Sequence, residues 1–167
     1  IKVEDDRFVN QGFQHLRYNF HIKDALTYEA FAQWQYNERV RIKVRWLGGT
    51  GMRFNFLKKE KQKIYLGLAY MYEYNEMKDT TIIHRDHRLS SYFSFKISPF
   101  KYLTLSGTTY LQPILKDFSN MRVSTKNRAT FKLSEKLSFT VTFSLTHDAR
   151  LKEDATDVPD SIYSLVN

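Results

Sequence analysis

Apolar and polar residues alternate with a period of two along nearly the whole chain. The alternation runs without a break from Val40 to Phe56, with one face formed by Val40, Ile42, Val44, Trp46, Met52, Phe54 and Phe56. At about 3.3 Å per residue this strand would be roughly 55 Å long, far longer than an ordinary globular strand. Such strands occur where a sheet crosses a bilayer and projects beyond it. The pattern predicts an all-β fold, an antiparallel up-and-down transmembrane β-barrel.

Phase counting predicts about nine strands in a single domain over residues 1–167. They are Phe13–Ile22, Leu26–Tyr36, Val40–Phe56, Ile64–Tyr74, Arg88–Ile97, Tyr102–Gln112, Met121–Leu133, Leu137–His147 and a ninth that begins near Ser161. Short links alternate with long ones, and the long links are predicted at Asn75–His87, Pro113–Asn120 and Asp148–Asp160. Outer-membrane barrels show this alternation, because their periplasmic turns are short and their external loops are longer.

The strand number predicts that part of the barrel is missing. A closed bacterial barrel has an even number of strands and both termini in the periplasm, whereas the first and ninth strands here would both run inward. We therefore expect ten or twelve strands in the intact protein, with an N-terminal strand or strands and the C-terminal end absent. The segment Ile1–Val9 is too short and too acidic to supply a spanning strand. A barrel of this size is nearly filled by side chains, which argues against a wide pore.

Composition agrees with an outer-membrane protein. Aromatic residues make up 16% of the chain, there is no cysteine, and the mean hydropathy is -0.52. No run of about eighteen apolar residues exists, which excludes a helical span. The aromatic side chains on the apolar face predict a belt at headgroup level, formed by Tyr28, Trp34, Tyr36, Trp46, Tyr70 and Tyr72.

The net charge of +8 concentrates on the polar face of the predicted strands. We expect a basic lumen, towards the outer ends of strands three, five and seven, formed by Arg41, Lys43, Arg45, Arg88, Arg122, Lys126 and Arg128. Only Glu29 and Glu73 are obvious inward acidic partners, so unpaired cations would attract anions. The alternative is that these cations pair with loop carboxylates such as Asp79 and Asp86, with the missing strands, or with lipopolysaccharide phosphates. No RNA-binding aromatic signature accompanies the charge, so nucleic acid is not an expected partner.

Other candidate chemistry is weak. Ser144, His21 and Glu73 would all face inward, but such residues are common in a polar lumen and predict a structural network rather than a catalytic triad. His84 and His87 have two-ligand spacing without a third ligand. The glycines around Thr50 precede no helix and do not predict a nucleotide site. We expect no catalytic, cofactor or metal site.

The chain resembles a known family. The residues that carry the resemblance are Phe13, His15–Asn19, Tyr28–Phe31, Gln33, Gln35–Asn37, Leu47–Gly49, Gly51, Arg53, Tyr70–Tyr74, Arg88–Ser91 and Gln112–Pro113. They resemble the family catalogued as domain of unknown function 481, which includes the salt-induced outer-membrane proteins, and are similar to its Bacteroidota members. The resemblance implies an outer-membrane barrel without an assigned activity. The family's N-terminal strand region and its terminal aromatic residue are absent.

Four functions follow from these observations. The first is a non-enzymatic protein of the bacterial outer membrane with a structural or envelope-stress role, in contact with lipid and lipopolysaccharide, whose narrow basic lumen binds or passes small anions. The second is an accessory subunit of a larger outer-membrane complex, indicated by the outward polar residues Thr109, Thr125 and Asn127. The third is a soluble lipocalin-like barrel, which would point its apolar face inward. The fourth is an outer-membrane enzyme.

Overall fold

A computed structural model of the chain describes residues 10–78, 81–150 and 161–166. These residues form one antiparallel sheet in which each strand pairs with the next strand along the chain. The nine strands are β1 (Gln11–Lys23), β2 (Leu26–Asn37), β3 (Ile42–Lys59), β4 (Gln62–Met77), β5 (Ile83–Phe100), β6 (Leu103–Ile114), β7 (Asp117–Lys132), β8 (Ser138–Asp148) and β9 (Ser161–Val166). The predicted all-β, up-and-down architecture with nine strands is confirmed. No helix among the described residues has the length and apolar character needed to span a membrane.

The connections lie at two ends of the sheet. We call one the short-turn end, where residues 24–25, 60–61, 101–102 and 133–137 join successive strands. The other is the loop end, where a one-turn 3-10 helix, Glu38–Val40, joins β2 to β3. Lys78 Nζ donates a hydrogen bond of 2.8 Å to Glu38 Oε1, which lowers the pKa of the Glu38 carboxyl.

Two of the predicted long links are wrong, because the strands continue through most of them. In place of the link Asn75–His87, β4 extends to Met77 and β5 begins at Ile83. In place of Pro113–Asn120, β6 ends at Ile114 and β7 begins at Asp117, leaving two residues between them. The charged and polar residues of these segments remain in β-strands because the backbone of each segment pairs with the neighbouring strand. Asp79, Ile1–Val9 and most of the third long link, Asp148–Asp160, lie outside the described residues.

The unbroken alternation predicted for β3 is also wrong. A β-bulge interrupts it, since Ile42 pairs with Met77, Val44 with Glu76 and Arg45 with Asn75. The extra residue reverses the phase, so that Ile42 and Arg45 face the same side although they are three positions apart. Lys43 therefore points to the opposite side, where its Nζ lies 2.5 Å from Glu76 Oε1.

The sheet curls so that one face becomes concave. Arg17 on β1 reaches Tyr110 on β6, with 3.4 Å between Nη2 and the phenolic oxygen. Tyr92 on β5 donates a hydrogen bond of 2.5 Å to Glu29 Oε2 on β2. Since two or more strands separate these partners, the contacts cross the concave space. Side chains on this face include most of the buried polar residues.

The convex face exposes large apolar side chains. Examples are Leu16, Tyr18, Phe54, Leu68, Phe93, Phe139 and Phe143, each between 41% and 74% exposed. Their positions alternate with the concave residues along the strands except at the bulges, as the period of two requires. The apolar face is thus the outer face of the curled sheet.

The two edges of the sheet are β1 and β9. In the part of the chain that the structure describes, these strands do not pair with each other, so hydrogen bonds do not close the sheet. β9 nevertheless reaches residues on the other side of the concave space. Ile162 on β9 packs against the buried cluster of Val40, Ile42 and Met77, which belongs to the β2–β4 side.

The glycines of β3 provide a test of the packing. A Cβ at Gly51 would lie 2.2 Å from the Leu68 carbonyl oxygen and 2.4 Å from the Ala69 Cα, both on β4. We expect Gly51→Ala to lower the free energy of unfolding by about 1–3 kcal/mol, because the backbone of β4 must shift. Urea unfolding followed by tryptophan fluorescence measures this change.

Gly48→Ala is the matched control on the same strand. Its new Cβ would meet only the Phe31 carbonyl oxygen at 3.8 Å, an ordinary contact. A change of about 0.5 kcal/mol or less is expected there. Equal losses in the two variants would contradict the close approach at Gly51.

Candidate functional site

A buried network of charges occupies the loop-end half of the concave face. Its centre is Glu73 on β4, which is 1% exposed. Arg122 on β7 donates two parallel hydrogen bonds of 2.9 Å to the two Glu73 carboxylate oxygens. The Nε atoms of Arg45 on β3 and Arg88 on β5 lie 3.0 and 3.1 Å from the same carboxylate. One carboxylate therefore joins guanidinium groups from three other strands.

Further carboxylates extend this network. Arg122 Nε donates a hydrogen bond of 2.7 Å to Asp148 Oδ2 on β8. Arg88 Nη2 lies 3.8 Å from Asp86 Oδ2, and Arg150 donates a hydrogen bond to the same aspartate. We call the whole set the Glu73 cluster; it comprises Arg45, Glu73, Asp86, Arg88, Arg122, Asp148 and Arg150.

A second network lies nearer the short-turn end. Glu29 on β2 accepts the hydrogen bond from Tyr92, and its Oε1 lies 3.1 Å from Arg53 Nη1 and 3.9 Å from Arg17 Nη1. The Arg17 guanidinium also lies over the rings of Phe31 and Tyr92, at 5.8 and 5.7 Å from their centroids. Arg17, Glu29, Arg53 and Tyr92 form the Glu29 cluster.

Each cluster contains one more cation than anion. The Glu73 cluster combines four arginines with three carboxylates, and the Glu29 cluster combines two arginines with one. Since arginine stays protonated in proteins, this excess is a lasting positive charge. Among the described residues, the two clusters therefore keep a net positive charge even though their buried arginines are paired.

A cavity of about 620 Å³ lies on the concave face beside the two clusters. Arg17, Arg45, Arg122 and Asp148 line it, and the rings of Phe13, Phe31, Tyr92 and Tyr110 provide apolar walls. The Arg17 Nε has no hydrogen-bond partner within the described residues. Guanidinium groups beside aromatic walls can hold a small anion that carries an apolar body.

The residues of the predicted basic lumen fall into three groups. Arg45, Arg88 and Arg122 come together in the Glu73 cluster, where they are paired with carboxylates, among them the loop-end Asp86. Lys126 and Arg128 lie on the concave face in the short-turn half, not at the loop end where they were expected. Lys43 is on the convex face because of the β3 bulge, and Arg41 precedes β3 with a positive φ of 52°.

The predicted aromatic belt lies on the convex face but not at one level. Trp34 and Trp46 are register partners near the loop end, with 6.2 Å between ring centroids, and Tyr36 and Tyr72 share that half. Tyr70 is at mid-strand, whereas Tyr28 is near the short-turn end. A second group of exposed aromatic residues at the short-turn end includes Phe56, Phe100 and Tyr102.

The structure does not bring together the three residues weighed as a catalytic triad, Ser144, His21 and Glu73. The Glu73 carboxylate is occupied by three guanidinium groups, and no contact joins it to His21 or Ser144 among the described residues. Within those residues no group of three or more histidine, cysteine, aspartate or glutamate side chains could hold a metal ion. His87 instead contacts Tyr70 on the convex face, with 2.5 Å between Nδ1 and the phenolic oxygen.

The outward polar residues predicted as a docking seam bond to one another. Thr109 and Thr125 share a hydrogen bond of 2.8 Å, and Asn127 Nδ2 donates one of 3.0 Å to Thr125. A polar group whose hydrogen bonds are made within the wall costs little in apolar surroundings. The seam therefore does not need a protein partner.

Sequence reasoning missed several residues of the two clusters. Asp148 was assigned to a loop, although it belongs to the inward series of β8 that contains Ser144. Arg17, Arg53 and Tyr92 were on the polar face by phase, but only the curl of the sheet brings them to Glu29. One sequence signal could have found the two arginines. Each lies at an inward position of a strand that neighbours β2, the strand that carries the inward carboxylate of Glu29.

The comparisons with known proteins agree with the resemblance seen in the sequence. A family model described as "Protein of unknown function, DUF481" matches residues 2–165. No curated protein and no solved structure matches the chain. The predicted family is confirmed.

Because Glu73 lies at the centre of the cluster, we expect removal of its charge to lower the free energy of unfolding strongly. Glu73→Gln would leave three arginines close together without their shared counter-charge, so we expect a loss of about 3–5 kcal/mol in the free energy of unfolding. Glu76→Gln, three positions along β4, removes only an exposed pair with Lys43 and should cost far less. Urea titrations of both variants compare the two losses, and similar values would argue against the Glu73 cluster as the main electrostatic support of the interior.

Proposed function

The chain belongs to the DUF481 family, and we propose that it is a non-enzymatic β-barrel protein of a Gram-negative outer membrane that binds small anions in its interior. Its role in the envelope is structural or stress-related. The observation that carries the proposal is the cavity beside two ion-pair clusters, each with one arginine in excess.

The exterior supports the location in a membrane. Large apolar side chains are exposed along the middle of the convex face, which a soluble monomer would not tolerate over so wide an area. Exposed aromatic residues occur near both ends of the strands, such as Trp46 at the loop end and Tyr102 at the short-turn end. An apolar band flanked by two aromatic girdles is the outer surface of an outer-membrane barrel.

The interior supports binding rather than free passage. Side chains cross it at two levels, from Arg122 to Glu73 and from Arg17 to Tyr110. A narrow barrel filled in this way has no continuous aqueous path, whereas the cavity between the side chains can hold a ligand. The excess arginine charge selects an anion.

Lipid and lipopolysaccharide are the proposed surroundings. Cations on the convex face or in the turns at the loop end include Lys43, Arg85 and Lys116, which can pair with lipopolysaccharide phosphates. The role of accessory subunit has less support, because the polar seam around Thr125 makes its own hydrogen bonds.

Neighbouring positions on β8 test the membrane location. The chain has no cysteine, so Thr142→Cys and Phe143→Cys each introduce a single labelling site, the first on the concave face and the second on the convex face. With a bimane label and the protein in vesicles, brominated lipid should quench the label at position 143, and aqueous iodide the label at position 142. Iodide quenching of the label at position 143, with no quenching by brominated lipid at either position, would indicate a soluble barrel.

A second experiment tests anion binding in the cavity. Benzoate, which combines a carboxylate with a ring, is titrated into the detergent-solubilised protein by calorimetry. Arg17→Gln should weaken binding by about tenfold or more, because it removes a charged hydrogen-bond donor. Arg85→Gln removes the same charge from the convex face and should leave the affinity unchanged.

Conductance in planar bilayers separates binding from passage. The proposal expects no regular current steps from the wild-type protein, since side chains cross the interior. Anion-selective steps would show passage instead. Absence of benzoate binding, or equal weakening in the two variants, would argue against the cavity as an anion site.

A further inference from the structure

The short-turn half of the concave face contains a second concentration of positive charge, separate from the two clusters. Lys63 on β4 is paired in register with Lys96 on β5. Lys96 is paired with Ser106 on β6, and Ser106 with Arg128 on β7. One row across four neighbouring strands thus carries three cations and a hydroxyl.

The adjacent row adds a fourth cation and more hydroxyls. Ser94 on β5 pairs with Thr108 on β6, and Thr108 pairs with Lys126 on β7. The Ser94 and Thr108 hydroxyls share a hydrogen bond of 2.9 Å. Since directly opposed residues in a sheet have Cβ atoms about 5 Å apart, Lys126 and Arg128 can approach a ligand seated over Ser106 and Thr108.

No carboxylate neutralises these cations on their own strands. The acidic residues in the described strands β4–β8 are Glu73, Glu76, Asp86, Asp117 and Asp148, and all of them lie in the loop-end half. Within the described residues, Lys96, Lys126 and Arg128 form no ion pair, and the Ser106 hydroxyl has no hydrogen-bond partner. Like charges opposite one another in a sheet are destabilising without an intervening counter-charge. This contrasts with the Glu73 cluster, where every buried arginine contacts a carboxylate.

These residues line a groove. Its volume is about 540 Å³, and Ser94, Lys96, Ser106, Thr108, Lys126 and Arg128 contribute to its surface. The groove has cations on both sides of a strip of hydroxyl groups, and the rings of Phe95 and Tyr110 also line it. It shares Tyr110 and Ser124 with the cavity near Arg17, whereas Lys96, Lys126 and Arg128 line the groove alone.

We propose that this groove is a binding site for a phosphoryl group, held by Lys96, Lys126 and Arg128 with the Ser106 hydroxyl as a neutral donor. A phosphate monoester or free phosphate carries up to two negative charges and offers several acceptor oxygens. The fork of Arg128 suits two of those oxygens, and the lysine ammonium groups supply additional charge. A single carboxylate would leave most of the donors unused, so the multiply charged group is favoured.

Two ligands could supply this phosphoryl group. One is free phosphate in the surrounding solution, and the other is the headgroup of a phospholipid such as phosphatidic acid. Lys96, Lys126 and Arg128 do not line the cavity near Arg17, so phosphate binding in the groove does not depend on the anion proposed for that cavity. Phosphate binding can therefore succeed or fail independently of benzoate binding.

The test uses the full chain with two double variants of equal charge change. Lys96→Gln with Arg128→Gln removes two cations from the groove, whereas Lys23→Gln with Lys59→Gln removes two exposed cations from the ends of β1 and β3, outside the groove. Calorimetry at constant ionic strength measures the affinity for inorganic phosphate in detergent. A parallel arm measures competition by phosphatidic acid in phosphatidylcholine nanodiscs. Tryptophan fluorescence and unfolding curves verify that each variant is folded.

We expect the groove variant to weaken phosphate binding by about tenfold or more and the control to retain wild-type affinity. Binding of inorganic phosphate identifies the free ion as a ligand, and binding of phosphatidic acid alone, lost in the groove variant, identifies the lipid headgroup. Absence of both, or equal loss in the groove and control variants, overturns the proposal.

Discussion

The electrostatic balance around Glu73 is the constraint on which the concave face depends. Three arginines from β3, β5 and β7 converge on one carboxylate that is almost wholly buried. Charges removed from water are tolerated only when they are paired with good geometry, and the parallel hydrogen bonds from Arg122 provide that geometry. The sheet must curl for these groups to meet, because β7 is three strands away from β4. The curl in turn places the apolar residues on the outer surface.

The same curl divides the interior into regions of different character. At the loop end, carboxylates from β4, β5 and β8 compensate most of the arginine charge. At the short-turn end, serine and threonine take the positions where carboxylates would be needed, and the cations face a groove instead. The aromatic cavity lies beside the paired clusters. A compact polar network and a groove without paired carboxylates, both on the described concave face, are the physical basis for the separate structural and ligand-binding roles that we propose.

Much of the strand pattern was predictable because the alternation of apolar and polar residues depends only on neighbouring positions in the sequence. The alternation identified nine strands, and each predicted strand overlaps the observed one. The errors occurred where the pattern of neighbouring residues differs from the pairing between strands. The β3 bulge reversed the direction of Lys43, an event that leaves no trace in a run of alternating residues. Charged and polar residues at the ends of β4 and β5 resembled a loop, although cross-strand pairing keeps them in the ladder.

The sequence by itself determined the fold class, the family and the side of the sheet on which most residues lie, since a period of two depends only on neighbouring positions. The tertiary structure alone decided which charges are paired. Arg122 and Glu73 are 49 residues apart, and Tyr92 and Glu29 are 63 apart. Register across intervening strands, together with the curvature of the sheet, brings such groups within hydrogen-bond distance. Within the part of the chain that the structure describes, the same register leaves Lys96, Lys126 and Arg128 without paired carboxylates, because the acidic residues of strands β4–β8 are all at the opposite end.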